Sequence, residues 1–431
     1  MDIRIYKNRR ENLQELLPEN SVLLVPGAEI QYRNSDSSFP FRQESNFYYL
    51  SGFCEPASLI AITKKDNQIT SLIFVPPKDK LKEIWDGYRA GPLGAVEDFL
   101  FDKAYDNTQI DEMLPDILFG SDIVLYPIGK KNGFDQKVID WTSEASKKDR
   151  HSKSINISDA TSIIGNARLI KDEHEISLIK KACSISADAH IEAMKSVKGG
   201  DSEQFIESMY IYEFSKRGAR YPAYNPIVAG GENACVLHYV ENNQQLNNDD
   251  LLLVDAGCEY EMYAADITRT FPVSGKFSDE QLAIYKVVLD AMNAAIDMVK
   301  PGNHIMQPQE ISEKVITEGL VDLGLLDGDP EELHKSGAYK EFYMHKIGHW
   351  LGLDVHDAGD YVEGEDYMTF KPGMITTIEP GIYISSSMDI DDKWKGIGIR
   401  IEDDILVTKD GNENLTKKVP SDPEEIESLM S

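Results

Sequence analysis

The chain has 431 residues, 41% of them hydrophobic and 9% aromatic, the make-up of a globular protein too long for one ordinary core. Its 44 Lys and Arg stand against 74 Asp and Glu, a formal net charge of -30, which argues against nucleic acid and anionic membrane surfaces as partners. Four cysteines (Cys54, Cys183, Cys235, Cys258) form no CxxC pair, so zinc-ribbon and thioredoxin readings lack support and a reducing compartment fits.

Residues 1–10 lack the apolar core of a secretory signal, and no run approaches the length of a membrane span. The expected location is the cytoplasm. Short apolar runs at 21–25, 58–63, 70–75 and 122–126 predict strands, with helical character at 93–118 and 134–148. Together they predict an α/β domain over 1–165. The texture changes at Ile164-Gly165-Asn166, after which Ile176, Ile179, Lys180 and Cys183 set a helical period. A second domain is therefore expected over 166–431. Its long helices are predicted at 173–196, 202–218, 278–299 and 308–323, and its strands at 251–256, 263–271, 374–379 and 397–407. Residues 420–431 are acidic and read as a solvated tail.

Within this second half, the stretch from His345 to Gly359 holds three of the nine histidines, separated by glycines. His345 and His349 stand four apart, as on one face of a helix, but Gly348 and Gly352 weaken a helix there and no glutamate follows His345. Irregular or extended backbone is the better reading. One histidine alone is more often an ordinary core or surface residue. Three among glycines, with carboxylates in reach, point to a site.

Those carboxylates sit at the ends or inside of apolar strands. Leu251-Leu252-Leu253-Val254 runs into Asp255, and Asp266 lies eleven residues on. A hairpin centred between Tyr260 and Glu261 would set Asp255 directly opposite Asp266, and two carboxylates that close repel unless a cation lies between them. Glu379 ends the run 374–378 before Pro380-Gly381. In the run 396–405, alternation puts Arg400, Glu402 and Asp404 on one face. Any one of these could be an exposed strand residue or half of an ion pair. Four carboxylates with the imidazole of His349 and no thiolate form an oxygen-rich donor set that suits Mn²⁺ or a similar divalent ion. No GxSxG elbow, Walker A loop or GxGxxG after a strand competes.

These residues resemble the pita-bread metallopeptidases, and among them the bacterial-type Xaa-Pro aminopeptidases (aminopeptidase P). In the second half the resemblance rests on Asp255-Ala256-Gly257, Asp266-Ile267-Thr268-Arg269-Thr270-Phe271, the His345 to Gly359 stretch, Glu379-Pro380-Gly381 and Arg400-Ile401-Glu402-Asp403. In the first half it rests on Arg33-Asn34-Ser35-Asp36, Phe41-Arg42-Gln43 and Asn46-Phe47-Tyr48-Tyr49-Leu50-Ser51-Gly52-Phe53.

The resemblance implies an amino-terminal α/β domain followed by an α+β pita-bread catalytic domain. It implies cleavage of the first bond of peptides with proline second, and two divalent metal ions, most simply Mn²⁺. Asp255, Asp266, His349, Glu379 and Glu402 become the metal ligands, with Asp266 and Glu402 bridging. Glu379 is also the general base for the water between the metals. His238 and His356 become catalytic histidines, the first near the scissile bond and the second at the tetrahedral intermediate. His345 and Tyr383 become substrate-binding residues, and Arg400 fixes a bridging carboxylate from behind. Asp36 and Trp85 match positions that some relatives contribute from a neighbouring subunit, which implies a homodimer or homotetramer. One departure is the lack of an arginine between His356 and Glu379, where some members carry one near the substrate's carboxyl end. The rival readings are a prolidase with the same metal site, a methionine aminopeptidase, or a peptide-binding protein without catalysis.

Overall fold

Ser21–Pro26 is apolar through Val22, Leu23, Leu24 and Val25, all fully buried. Such a run forms a strand covered on both faces. It lies inside a six-stranded sheet of order Lys103–Asp106, Gln68–Val75, Leu59–Lys65, Ser21–Pro26, Ile123–Tyr126 and Asn156–Asp159. The pairings of Leu59–Lys65 with its two neighbours are antiparallel and the other three are parallel. Leu114, Leu118, Val138 and Trp141, from helices Ile110–Leu118 and Asn132–Lys147, cover Leu24, Ala61, Phe74 and Val124. In this computed structural model, which describes residues 2–66, 68–151 and 153–431, that sheet belongs to the first of two compact units, Met1–Arg168 and Leu169–Ser431. The division falls inside helix Thr161–Leu169, close to the change of texture in the sequence.

The span 93–118 is not one helical region. Helices Gly91–Glu97 and Ile110–Leu118 flank the strand Lys103–Asp106. Asp102 fixes this strand by accepting from the backbone N–H and the hydroxyl of Ser71, and Tyr105 packs on Phe74 with ring centroids 5.6 Å apart. Tertiary pairing here overrides a weak local period.

The second unit is built from four long helices, Glu173–Ser196, Glu203–Lys216, Asp279–Met298 and Gln307–Asp322, around short antiparallel strands. Capping boxes at Asp172/Glu175 and Ser278/Gln281 start two of the helices, satisfying donors that would otherwise be orphaned. Residues 420–431 are not a free tail: Asp422 caps a helix at Pro423–Met430, which buries Ile426, and Glu427 pairs with Lys276. Among the described residues no helix is long and apolar enough to cross a membrane.

The strands of this unit are more broken than their apolar runs suggest. The run 263–271 splits into Tyr263–Ala264 and Thr268–Pro272, and the run 397–407 into Ile397–Arg400 and Asp403–Val407. The breaks fall at Asp266 and at Glu402. A side chain in a regular pleat points straight out of the sheet, so a break is what lets two strands aim carboxylates at one point.

Candidate active site

Strand Leu251–Asp255 pairs on one side with Ile227–Gly230 and on the other with Thr268–Pro272. The register sets Asp255 opposite Thr268 rather than Asp266. The hairpin turns one residue later than the sequence spacing suggests, through Glu261 and Met262, both with positive φ, and Tyr260 pairs with Tyr263. The two carboxylates still meet. The Tyr224 hydroxyl is 2.6 Å from Oδ1 of Asp255 and 2.5 Å from Oδ1 of Asp266.

His349 reaches the same place from the irregular backbone expected for 345–359. Its neighbours tie that stretch to the strand Ile375–Ile378: Thr377 N donates to His349 O and Glu379 N to Ile347 O. Nδ1 of His349 lies 3.0 Å from the carbonyl of Trp350. A carbonyl only accepts, so Nδ1 carries a proton and Nε2 faces the carboxylates, 3.4 Å from Asp266 Oδ2 and 3.5 Å from Glu379 Oε1. Fixing one ring nitrogen on a carbonyl is how a protein presents the other to a metal.

Donor atoms of Asp266, His349 and Glu402 all lie within 4.8 Å of one another. Glu379 adjoins them through His349, and Asp255 through Tyr224. The electrostatics bear out the crowding. Burial, then the charge of Asp255, raises the Asp266 carboxyl. Burial raises Glu402 far above the carboxylate range, with Asp266 and Glu379 adding to it. Glu379 is pushed by burial up to about 7, with His349 opposing and Asp266 assisting. Burial alone would lower His349, but its hydrogen bond to Asp266 and the charges of Asp266 and Glu379 prevail and lift it to about 9. Carboxylates held this close keep protons unless a cation replaces them, so the donor set fits a divalent metal. It is short of nothing that an oxygen-rich site with one imidazole requires.

Arg400 stands behind these groups. It donates from Nη2 to Asp255 Oδ2 at 2.6 Å, from Nη1 to the Tyr383 hydroxyl at 3.1 Å and from Nε to Thr268 Oγ1 at 3.2 Å. Thr268 in turn donates to Glu402 Oε2 at 2.6 Å. The direct ion pair is thus with Asp255, and Glu402 is reached only through Thr268. Tyr383 is 2.8 Å from Nε2 of His345, whose Nδ1 lies 2.8 Å from the carbonyl of Lys346. Burial and the Arg400 charge lower His345 to about 4, so the ring is neutral and accepts from Tyr383.

Asp255, Asp266, His349, Glu379, Glu402 and Arg400 line a cavity of about 870 Å³ together with His238, His345 and His356. His356 stacks edge-on against His349 with centroids 4.3 Å apart, and burial followed by the His349 charge lowers it. Tyr383 does not line the cavity: it is 2% exposed and sits behind His345 as a support. Asp36 and Trp85 belong to the first unit, where Asp36 lies exposed in the turn between Tyr32–Asn34 and Ser37–Ser38. Trp85 is 87% exposed on helix Lys80–Asp86, so it is no core aromatic.

Two site residues escaped the reading of the sequence. Tyr224, in Tyr221-Pro222-Ala223-Tyr224-Asn225-Pro226, follows no period and offers no signal. Thr268 could have been found, since it is two residues from Asp266 in the same short motif.

Residues 177–409 match metallopeptidase family M24, and residues 6–126 match the aminopeptidase P N-terminal domain. Over 430 residues the chain is 43% identical to the Xaa-Pro aminopeptidase of Haemophilus influenzae, covering 99% of this chain and 97% of that relative. Over 429 residues it is 40% identical to the Escherichia coli Xaa-Pro aminopeptidase, with the same coverage, 99% and 97%. The solved structure of Pseudomonas aeruginosa aminopeptidase PepP superimposes with a TM-score of 0.96 at 42% identity, over 100% of this chain and 98% of that one. Escherichia coli aminopeptidase P, solved with the inhibitor Pro-Leu, gives a TM-score of 0.96 at 39% identity, again over 100% and 98%. On this family match, on full-length relatives and on a buried carboxylate–histidine site that fits a metal, the chain belongs to the M24 metallopeptidases, in the Xaa-Pro aminopeptidase (aminopeptidase P) branch.

Proposed function

We propose that the protein removes the first residue from peptides with proline in second position, using two divalent cations, Mn²⁺ by preference, held by Asp255, Asp266, His349, Glu379 and Glu402. The observation that carries this reading is the meeting of Asp266, His349 and Glu402 in the wall of the cavity, with Glu379 beside them. Bound there, the cations supply an acidified water and polarise the peptide carbonyl.

The chain's own residues supply the rest. Glu379, beside the donor cluster on the cavity wall, is placed to take a proton from the attacking water and return it to the leaving nitrogen. An amide nitrogen must take up a proton to leave as an amine, and on proline, whose amide nitrogen carries no hydrogen, that proton becomes the product's N–H. His356, on the cavity wall beside His349, donates to the oxygen on which negative charge develops. His238 lines the same cavity and is assigned to the scissile bond. Both nitrogens of His345 are engaged by Tyr383 and Lys346, so it offers carbon edges rather than hydrogen bonds, a surface suited to a proline ring. The exposed Asp36 and Trp85 fit a homodimer or homotetramer in which each subunit closes the mouth of a neighbour's site. Four cysteines scattered without a CxxC pair fit a cytoplasmic location.

The test is purified protein with added Mn²⁺, offered Xaa-Pro-Xaa tripeptides, Xaa-Pro dipeptides and Met-Ala-Ser. Release of the first residue from the tripeptide is expected. Cleavage of the dipeptide alone would make the protein a prolidase. Full activity after exhaustive chelation, or in Glu379→Ala, would rule out the metal mechanism.

A further inference from the structure

Helix Glu203–Lys216 begins with a carboxyl group that is 0% exposed. Its Oε1 accepts from the backbone N–H of Gly230 and from Nδ2 of Asn233, both at 2.9 Å. Its Oε2 accepts from the Tyr239 hydroxyl at 2.8 Å and from the backbone N–H of Gln244 at 2.9 Å. Four donors on two oxygens use the full acceptor capacity of a carboxylate. All four come from the single segment 230–244, which loops out from strand Ile227–Gly230 and returns to pair Gln245 with Ser202.

Burying a carboxyl group is costly, and a stretch of core could be filled more cheaply by an apolar side chain. What this one holds is informative. Leu237, His238 and Val240 of the held segment line the active-site cavity, while Tyr239, between them, turns inward to Glu203 and packs with Ile227, Ala229 and Leu253. Asn242, with φ of 46°, closes the loop by accepting from Val228 N and donating to Pro226 O and to Glu207 on the same helix. The inward anchor and the outward histidine are thus adjacent residues on one short turn.

We propose that Glu203 is a positioning residue for the peptidase reaction: it clamps the segment 230–244 so that His238 is held on the cavity wall. The inference rests on the role given to His238 above. Glu203 contacts none of the residues that would hold metal, so its effect runs through the loop. A glutamine there accepts at only one oxygen and turns two hydrogens toward donors, which loosens the loop at constant volume.

The experiment is a double-mutant cycle on tripeptide hydrolysis in the Mn²⁺-loaded full chain, with Glu203→Gln, His238→Ala and the pair. Glu203→Gln is expected to lower kcat/KM by about tenfold or more, and the pair to stay within about twofold of His238→Ala. Mn²⁺ affinity of Glu203→Gln should stay within about twofold of the parent, which a general loosening of the fold would not allow. The same fold-loss in both backgrounds, a parental rate in folded Glu203→Gln, or a loss that follows the metal would each overturn the proposal. Should Glu203→Gln not fold, Tyr239→Phe removes one of the four donors and keeps the ring. A loss in Tyr239→Phe that disappears in the His238→Ala background supports the clamp, and a parental rate sinks it. A parental rate in His238→Ala removes the role of that histidine and this inference with it. Absence of tripeptide hydrolysis in the unsubstituted protein is a separate result that overturns the proposed function itself.

Discussion

Arg400 and Asp255 form an ion pair at 2.6 Å whose side chains are 5% and 13% exposed. A planar guanidinium fits this place because it serves three directions at once: Asp255, the Tyr383 hydroxyl and Thr268. Lysine has the charge without the fork. Arg400→Lys and Arg400→Ala are therefore expected to weaken Mn²⁺ binding by about 10–100-fold, as loss of a ligand's supporting partner does. Calorimetric titration of Mn²⁺ into each variant checks this. Parental affinity in Arg400→Lys would show that charge alone suffices and that the fork is irrelevant.

The crowded carboxylates make a prediction about pH. Asp266 is raised by burial and the charge of Asp255, Glu402 by burial and the charges of Asp266 and Glu379, and Glu379 is raised by burial from 4.5 to about 7. A group whose pKa is raised on folding stabilises the fold below its unfolded value and loses that contribution as pH climbs through the folded one. His349, raised from 6.5 to about 9, has the same sign, with its contribution lost as pH climbs through about 9. Metal-free protein should therefore lose stability between about pH 4.5 and 9, while the stabilisation given by Mn²⁺ grows over the same range as protons leave the donors. Thermal melts with chelator and with Mn²⁺ across this range read both slopes. Glu379→Gln should flatten the metal-free slope near pH 7, and an unchanged slope in that variant counts against the account.

Metal uptake should also release protons. The Tyr224 hydroxyl has one hydrogen but makes two short contacts, to Asp255 and to Asp266. With that one hydrogen shared between two crowded carboxyl groups, and with Glu379 raised to about 7 and His349 to about 9, the metal-free donor set holds protons at neutral pH. Calorimetry of Mn²⁺ binding at neutral pH in buffers of different ionisation enthalpy should show at least about one proton released per site filled. An enthalpy independent of buffer would exclude protons held on the metal-free donors.

The outcome divides along a physical line between what is local and what is not. The helices Glu173–Ser196 and Asp279–Met298 were legible because caps and a 3.6-residue period are written in consecutive residues. The carboxylates were legible because a charge ending an apolar run is conspicuous. The register was not. Asp255 opposite Asp266 is the natural count, but positive φ at Glu261 and Met262 moves the turn by one residue, and no local rule assigns αL to a glutamate and a methionine. Nor was Tyr224 legible, since its position between two acids comes entirely from the sheet pairing around it. The strand Lys103–Asp106 is a third case, formed by Ser71 and Phe74 far away in sequence.

Gly348 is fixed by contact with the backbone opposite. A Cβ there would lie 2.0 Å from the carbonyl oxygen of Thr377, too close for any side-chain adjustment to relieve. The flanking hydrogen bonds, Glu379 N to Ile347 O and Thr377 N to His349 O, hold two donor residues on the two sides of that contact. Gly348→Ala should push His349 and Glu379 apart, giving a loss of hydrolysis of about 100-fold or more together with weakened Mn²⁺ binding. Gly364→Ala, in the exposed turn between Val362–Glu363 and Asp366–Tyr367, adds the strain of a side chain at positive φ but no clash, since nothing lies near its Cβ, and should still cost far less hydrolysis. Equal losses in the two variants would defeat the steric argument.

Lys171 and Asp357 form an ion pair at 2.9 Å with both side chains 1% exposed. Asp357 follows His356 directly, and its Oδ1 also accepts from Asp354 N, so the pair tethers the loop that presents that histidine. Gly352 touches the same pair, where a Cβ would meet Asp357 Oδ2 at 2.3 Å. Removing one partner of a buried pair costs about 3–5 kcal/mol, whereas replacing both can be close to neutral. Lys171→Met should therefore lower the chemical-denaturation midpoint strongly, and Lys171→Met with Asp357→Leu should recover much of that loss. Activity should not recover in step, because the double variant restores burial without restoring the hold on the His356 loop. Parallel recovery of stability and of tripeptide hydrolysis would mean that the pair serves the fold alone.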